Sequence, residues 1–247
     1  MPQGQVREWS VFMKNSLLII SGASSGIGRE TAALFYHAGY RIINLSRSPC
    51  DLALVLNIPI DLSKKKWPND VLERLVSAAE KSDEVCLIHS AAVFENDSIE
   101  SLDADKLRRV LEVNVVAPQK LNKALVPVMK PGSSILYVGS TLAEKAIPNA
   151  YSYVLSKHAG AGMMKANCQD LSGRGIHTTS VCPGFTDTQM LRDHLGDDPV
   201  EIKKIAAHST FNRLIEPGEI ARTLLFCAQN QVINGSLIHA SLGQIEH

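Results

Sequence analysis

Tyr153 and Lys157, one helical turn apart, are the pair in this sequence best suited to moving a proton. A phenol with an ordinary pKa of about 10 is a poor base near neutrality, so it needs a neighbouring ammonium to favour its phenolate. Side chains four residues apart share a helix face, and Lys157 meets that need. Tyr151, the nearest rival, has Leu155 at the same offset and hence no cationic partner. A second constellation is Ser21-Gly22-Ala23-Ser24-Ser25-Gly26-Ile27-Gly28, which follows an apolar run and opens a helical stretch. There, glycines permit a tight turn, close backbone approach to a pyrophosphate and close packing of helix on strand. The free N–H groups of the helix start favour an anion. The implied ligand is a dinucleotide, and its form is read from Asn44-Leu45-Ser46-Arg47-Ser48. An acid at this place would hold a ribose 2′-hydroxyl and repel a 2′-phosphate. Ser46 occupies the acid's position and Arg47 follows, and a guanidinium suits a phosphate. NADP(H) is expected over NAD(H); a solvated arginine beside a serine is the reading left open.

Such residues must be carried by strands that end where a ligand can lie. Short β-rich apolar runs at 17–20, 41–45, 85–88, 134–138, 176–181 and 237–240 alternate with helical stretches at 29–38, 71–81, 103–129 (broken near Asn114), 151–171 and 217–229. That alternation predicts an α/β fold with a doubly wound parallel sheet covered by helices on both faces. Pro131-Gly132 and Gly173 stop helices, as breakers beyond a C-terminus do. At 247 residues the chain is too short for a dinucleotide domain plus a separate substrate domain. One domain over 16–247 is expected after an N-terminal extension over 1–15. The least regular long segment, 184–213, has Gly196-Asp197-Asp198-Pro199 in its middle. It reads as a substrate lid over about 185–212 or as a plain surface excursion.

The glycine spacing Gly-x-x-x-Gly-x-Gly resembles that of the short-chain dehydrogenase/reductase family. Tyr153-Val154-Leu155-Ser156-Lys157 matches the family's Tyr-x-x-x-Lys, and Ser140 stands thirteen residues ahead of the tyrosine, at the family's spacing for its serine. Asn114 falls where the family keeps a helix-kinking asparagine, and Pro183-Gly184-Phe185-Thr186-Asp187-Thr188 matches its Pro-Gly-x-x-x-Thr. The matches run in order from Leu17 to Gly235. The resemblance implies a three-layer Rossmann-type fold of about seven strands and hydride transfer between nicotinamide and a carbonyl or alcohol carbon. It implies catalytic roles for Ser140 (polarising the carbonyl), Tyr153 (general acid), Lys157 (tuning the tyrosine and binding the ribose) and Asn114 (holding a relay water). Cofactor contacts are implied for Gly22, Ser24, Ser25, Gly26, Ile27, Gly28, Ser46 and Arg47. Asp61 and Leu62 would meet the adenine, and Ser90, Ala91 and Ala92 would lie where backbone passes the cofactor. Tyr153, Lys157, Pro183, Gly184, Thr186 and Thr188 would border the nicotinamide end. Members commonly form homodimers or homotetramers through the tyrosine's helix, and Ala159, Ala161, Met163, Met164 and Ala166 suit either such an interface or ordinary core.

The chain departs from the family's Asn-Asn-Ala-Gly with His89-Ser90-Ala91-Ala92, where Ser90 can still bond a neighbouring strand and His89 reads as structural. It reads Ser241-Leu242-Gly243 where many members have Asp-Gly-Gly. Ser46-Arg47-Ser48 and the stretch 182–190 are similar to the sepiapterin-reductase-like and benzil-reductase-like branch, which implies a dicarbonyl or pterin ketone. No pterin-anchoring acid is evident, because His239 and Leu242 occupy that region. Phe185, Met190, Leu191 and Leu195 suit an apolar or aromatic carbonyl, or else form lid core. Competing readings are an NADP(H)-binding sensor or scaffold without turnover, and an extended-branch epimerase, which would need a further substrate domain. Basic and acidic residues balance at 25 each, so no cationic surplus points to nucleic acid. The cysteines Cys50, Cys86, Cys168, Cys182 and Cys227 form no CxxC pair and the histidines show no ligand spacing, so no metal site is expected and the thiols read as reduced, in a cytoplasmic protein. No segment approaches the roughly 20 apolar residues of a membrane span.

Overall fold

A computed structural model of the chain describes residues 15–245, with the backbone alone at Asn69. The extension expected over 1–15 lies outside the described residues apart from Asn15. In chain order the elements are β1 Ser16–Ser21, α1 Gly26–His37, β2 Arg41–Ser46, β3 Val55–Pro59, α2 Asn69–Glu80, β4 Glu84–His89, α3 Ala104–Leu111, α4 Ala117–Leu125, β5 Ser134–Val138, α5 Tyr151–Asp170, β6 His177–Pro183, α6 Gln189–Leu195, α7 Pro199–Ala206, α8 Pro217–Gln229 and β7 Leu237–Ala240. All seven strands form one sheet in the order β3-β2-β1-β4-β5-β6-β7, and each pairing is parallel.

The run Leu17-Leu18-Ile19-Ile20 explains why both faces are covered. Alternate side chains of a strand point to opposite faces. Leu17 and Ile19 pack with Leu75 of α2, Leu121 of α4 and Met164 of α5. Leu18 and Ile20 pack with Phe35 of α1 and with Ile220 and Leu224 of α8. A strand apolar throughout is stable only between two helical layers, and these two clusters are those layers. Ala161 and Met164 belong to this buried interior, whereas Ala159 and Ala166 are exposed on α5.

Two local outcomes differ from the sequence expectation. The break near Asn114 is a turn of π-helix, Glu112–Val116, inserted between α3 and α4. The segment read as least regular holds two helices. Thr188 caps α6 by accepting from Leu191 N, and Gly196, at φ 67°, ends it in the left-handed region. Asp198 then caps α7, with Pro199 in its first turn. Gly196-Asp197-Asp198-Pro199, expected to mark an irregular stretch, is the punctuation between two short helices. Among the described residues no helix is long and apolar enough to cross a membrane.

Candidate active site

The chain leaves β1 toward β2 and β3 and leaves β4 toward β5, β6 and β7, so the strand order reverses between β1 and β4. A crevice opens at such a switch point, outside the carboxyl ends of the strands. The glycine turn leaves β1 on one side of it, and Ser90, Ala91 and Ala92 leave β4 on the other. A Cβ on Gly22, at φ +79°, would lie 2.8 Å from Ala91 Cα, and one on Gly28 would lie 2.1 Å from Gly22 O. The expectation gave close approach to a pyrophosphate as a reason for these glycines; at Gly22 and Gly28 the close approach is of the protein to itself. What the turn offers an anion is its backbone. Ser25 makes no side-chain cap on α1, and the N–H groups of Gly26, Ile27 and Gly28 have no protein acceptor among the described residues. Unpaired N–H groups at a helix start attract negative charge, so the turn fits a dinucleotide's phosphates.

Two polar side chains pin this turn. Ser21 Oγ accepts from the N–H groups of Ser90 and Ala91, each at 3.2 Å. The bond from Ser90 to a neighbouring strand is thus made, through its backbone. Asn44 Oδ1 accepts from Ala23 N at 3.0 Å, while Asn44 Nδ2 donates to Ser46 Oγ at 2.8 Å and Asn57 Oδ1 at 2.9 Å. Beyond Ser46, Arg47 is exposed. Asp61 is held below the usual carboxylate range chiefly by the hydroxyl and N–H of Ser63, with Lys64 and Arg47 adding to the effect. Leu62 is buried in the core, so only its main chain is open to an adenine.

Ser140 lies two residues past β5 and starts a single 3-10 turn, Thr141–Ala143; its Oγ accepts from Leu142 N at 3.1 Å. That leaves the hydroxyl proton for a substrate oxygen. Tyr153 and Lys157 stand on successive turns at the start of α5. Lys157 Nζ is 5.2 Å from the Tyr153 ring centroid and donates to Val138 O at 2.8 Å. Lys157 is only 9% exposed, so that carbonyl compensates an ammonium removed from water. Phe94 meets Tyr153 edge to face with centroids 5.0 Å apart, and His194 of α6 meets Phe94 at 4.7 Å. Tyr151 is exposed.

Asn114 is bonded through its side chain to the loop after β4 and to α5. Its Nδ2 donates to Val93 O and Ser156 Oγ, both at 2.9 Å, and its Oδ1 accepts from Val93 N at 2.8 Å. Both amide protons are in use, so the side chain clamps the loop after β4. A cavity of about 20 Å³ beside it is walled by Asn114, Ser156, Lys157, His89 and Ser180, which is room for one water. On the far wall, Pro183 ends β6, and a Cβ on Gly184 would lie 3.0 Å from Ser241 Cα. Thr186 Oγ1 donates to Gly184 O at 3.1 Å, and the Thr188 methyl is 3.2 Å from where a Gly26 Cβ would stand. The end of β6 therefore closes onto the glycine turn.

His89 is buried, with Nε2 bonded to Asn122 Oδ1 at 2.8 Å. Asn122 and Asn167 both donate to Tyr137 Oη, at 2.8 and 2.7 Å. Sequence reasoning missed Ser21, Asn44, Phe94 and Ser156 as site residues. For Asn44 there was a signal, a lone amide inside Ile-Ile-Asn-Leu; for Phe94 there was none, because its partner is far along the chain.

A doubly wound dinucleotide-binding sheet carrying a serine, a tyrosine and a lysine at its switch point defines an oxidoreductase class. The family model described as Enoyl-(Acyl carrier protein) reductase matches residues 22–244. The short chain dehydrogenase adrF of Penicillium rubens is 29% identical, covering 92% of this chain and 95% of its own. A 3beta-hydroxysteroid dehydrogenase of Mediterraneibacter gnavus is 26% identical over 92% and 94% of the two chains. The ligand-free structure of Thermoplasma acidophilum aldohexose dehydrogenase superposes with a TM-score of 0.85 at 27% identity, over 93% and 94% of the chains. The chain belongs to the short-chain dehydrogenase/reductase family of nicotinamide-dependent oxidoreductases.

Proposed function

We propose that this protein is an NADPH-dependent reductase of a small apolar or aromatic carbonyl compound, able to oxidise the matching alcohol in reverse. The observation that carries the reading is the buried Lys157 ammonium 5.2 Å from the Tyr153 ring. When bound, NADPH supplies the hydride. The residues that would hold it are the N–H groups of Gly26, Ile27 and Gly28 for the pyrophosphate, and Ser46 and Arg47 for the 2′-phosphate. Asp61 and the main chain of Leu62 serve the adenine, and Lys157 the ribose. Ser140 directs its hydroxyl proton to the carbonyl oxygen, which polarises the bond and orients it. Tyr153 donates its phenolic proton to that oxygen, and Lys157 favours the phenolate left behind. The proton is replaced through the small cavity beside Lys157, whose wall includes Asn114.

The substrate class is supported by the Tyr153–Phe94–His194 succession of rings, which gives the proton donor an apolar, flat neighbour. Because His194 sits on α6, the segment over 185–212 is the substrate lid in this reading. The hydroxysteroid relative favours an apolar substrate; the aldohexose relative shows how widely the family ranges. The test is thermal shift with NADPH and NADH, together with nicotinamide absorbance against diketones, quinones, pterins and ketosteroids. The reading predicts stabilisation by NADPH above that by NADH, and turnover of at least one aromatic or alicyclic ketone. Stabilisation with no turnover of any member of the panel would favour a cofactor-binding sensor instead.

A further inference from the structure

The helix that carries Tyr153 has no cap of its own. Ala150 stands at its N-cap, where no side chain makes a capping bond, and no acid lies in its first turn. The N–H groups of a helix start need acceptors, and the acceptor here comes from the loop after β4. Asp97, 4% exposed, accepts from Ser152 N through Oδ1 at 2.9 Å and from Ser152 Oγ through Oδ2 at 2.5 Å. Its main chain is tied to the same place. Asp97 N donates to Asn149 O and Tyr151 N donates to Asp97 O, both at 3.2 Å, in an isolated parallel bridge with Ala150.

Burying a carboxylate is unfavourable unless its bonds are well made, and a serine or asparagine at position 150 could cap the helix locally at smaller desolvation cost. What a local cap could not do is couple α5 to the loop that reaches the cofactor turn. That loop is gripped at three points. Ser21 holds its start at Ser90 and Ala91. Asn114 holds both backbone groups of Val93. Asp97 holds its end against Ser152, next to the tyrosine. Between the last two grips, Phe94 lies against the Tyr153 ring.

We propose that Asp97 is a positioning residue for the proton donor, capping α5 from another loop and thereby fixing Tyr153 relative to the glycine turn, Phe94 and Lys157. This rests on Tyr153 being the proton donor. A carboxylate at a helix start also gains from the helix dipole, so its charge and its geometry act together. The substitution Asp97→Asn keeps the shape and one acceptor, Asp97→Ala removes both acceptors, and Ser152→Ala removes the hydroxyl partner alone.

The experiment compares wild type, Asp97→Ala, Asp97→Asn and Ser152→Ala by amide hydrogen exchange over residues 150–156, and by kcat, KM and NADPH affinity. Asp97→Ala is expected to raise exchange there by about 10-fold, the effect of losing a cap. Its kcat should fall about 10- to 100-fold, as misplacement of a reacting group does, with NADPH affinity held within about 2-fold. Asp97→Asn should recover most of the kcat. Wild-type exchange and wild-type kcat in Asp97→Ala would overturn the proposal, as would an equal loss of kcat and NADPH affinity in both Asp97 variants. Should Asp97→Ala not fold, Ser152→Ala, which loses the hydroxyl bond to Asp97, is expected to raise exchange and lower kcat by a smaller factor, and wild-type values of both in that variant would overturn the proposal. If the wild type reduces no carbonyl, the reductase reading fails on its own and the exchange comparison still decides whether Asp97 caps α5.

Discussion

In the proposed reading, two single residues, Arg47 and Gly28, set what the crevice accepts. Arg47 is exposed beside Ser46, where an acid would bar a 2′-phosphate. Removing a charged hydrogen bond worth about 1.5–3 kcal/mol lowers affinity roughly 10- to 100-fold. Arg47→Ala should therefore raise the KM for NADPH by that factor while leaving the KM for NADH almost unchanged; equal effects on both would show that Arg47 does not meet the phosphate. Gly28 works through packing. A Cβ there falls 2.1 Å from Gly22 O, inside contact distance. Gly28→Ala must push α1 off its turn, with a loss of about 1–3 kcal/mol and weakened binding of both cofactors, measurable by thermal shift. Gly162, in the middle of α5, is the contrast, because an added Cβ meets nothing within 4 Å. Gly162→Ala should stabilise the protein by about 1 kcal/mol in urea unfolding.

Among the elements, those whose own residues declare them were legible in the sequence. Leu17-Leu18-Ile19-Ile20 reads as a strand buried on both faces, the glycine turn reads as an anion cradle, and Tyr153 and Lys157 read as a pair because helical spacing is local. The break near Asn114 was visible as a break. Its form as a π turn was not, since it depends on Asn114 bonding Val93 and Ser156 across the fold. The helices α6 and α7 were missed because Thr188, Gly196, Asp198 and Pro199 serve equally as loop residues and as caps. The Asp97–Ser152 contact joins residues far apart in sequence, and neither residue type announces it. Asn114→Ala should cost roughly 2–4 kcal/mol, because it leaves Val93 N and O without partners. Because Ser156 Oγ donates to Tyr153 O at 2.8 Å, loss of kcat exceeding the loss of NADPH affinity would place that effect at Tyr153 through Ser156.

For the whole molecule, the buried polar chain behind the site makes stability depend on pH. Burial pushes the His89 imidazole down to about 4, against an ordinary 6.5, with Asn122 opposing the shift only in part. His177 moves in the same direction, also through burial. Because the folded value lies below the unfolded one, the unfolded chain takes up the proton first as pH falls. His89's contribution is therefore intact above about pH 6.5 and is lost between there and about pH 4, by roughly 3 kcal/mol in all. Glu219, held at about 2 mainly by Arg213, has its effect below 4.5, so it meets the His89 window only at its acid end and leaves a comparison made at about pH 5 untouched. Urea unfolding at about pH 7.5 and about pH 5 should show a large loss for wild type and a smaller one for His89→Asn. Equal losses would mean that His89 is charged within the fold.

The central claim is that Tyr153, tuned by Lys157, delivers the proton that accompanies hydride transfer. Its most direct test is a single-turnover experiment in which protein saturated with NADPH is mixed with a reducible ketone and the nicotinamide absorbance is followed, for wild type and Tyr153→Phe. The account predicts decay in wild type and a rate lower by about 10²- to 10⁴-fold in the variant, with NADPH binding unchanged. Decay at the wild-type rate in Tyr153→Phe would contradict it.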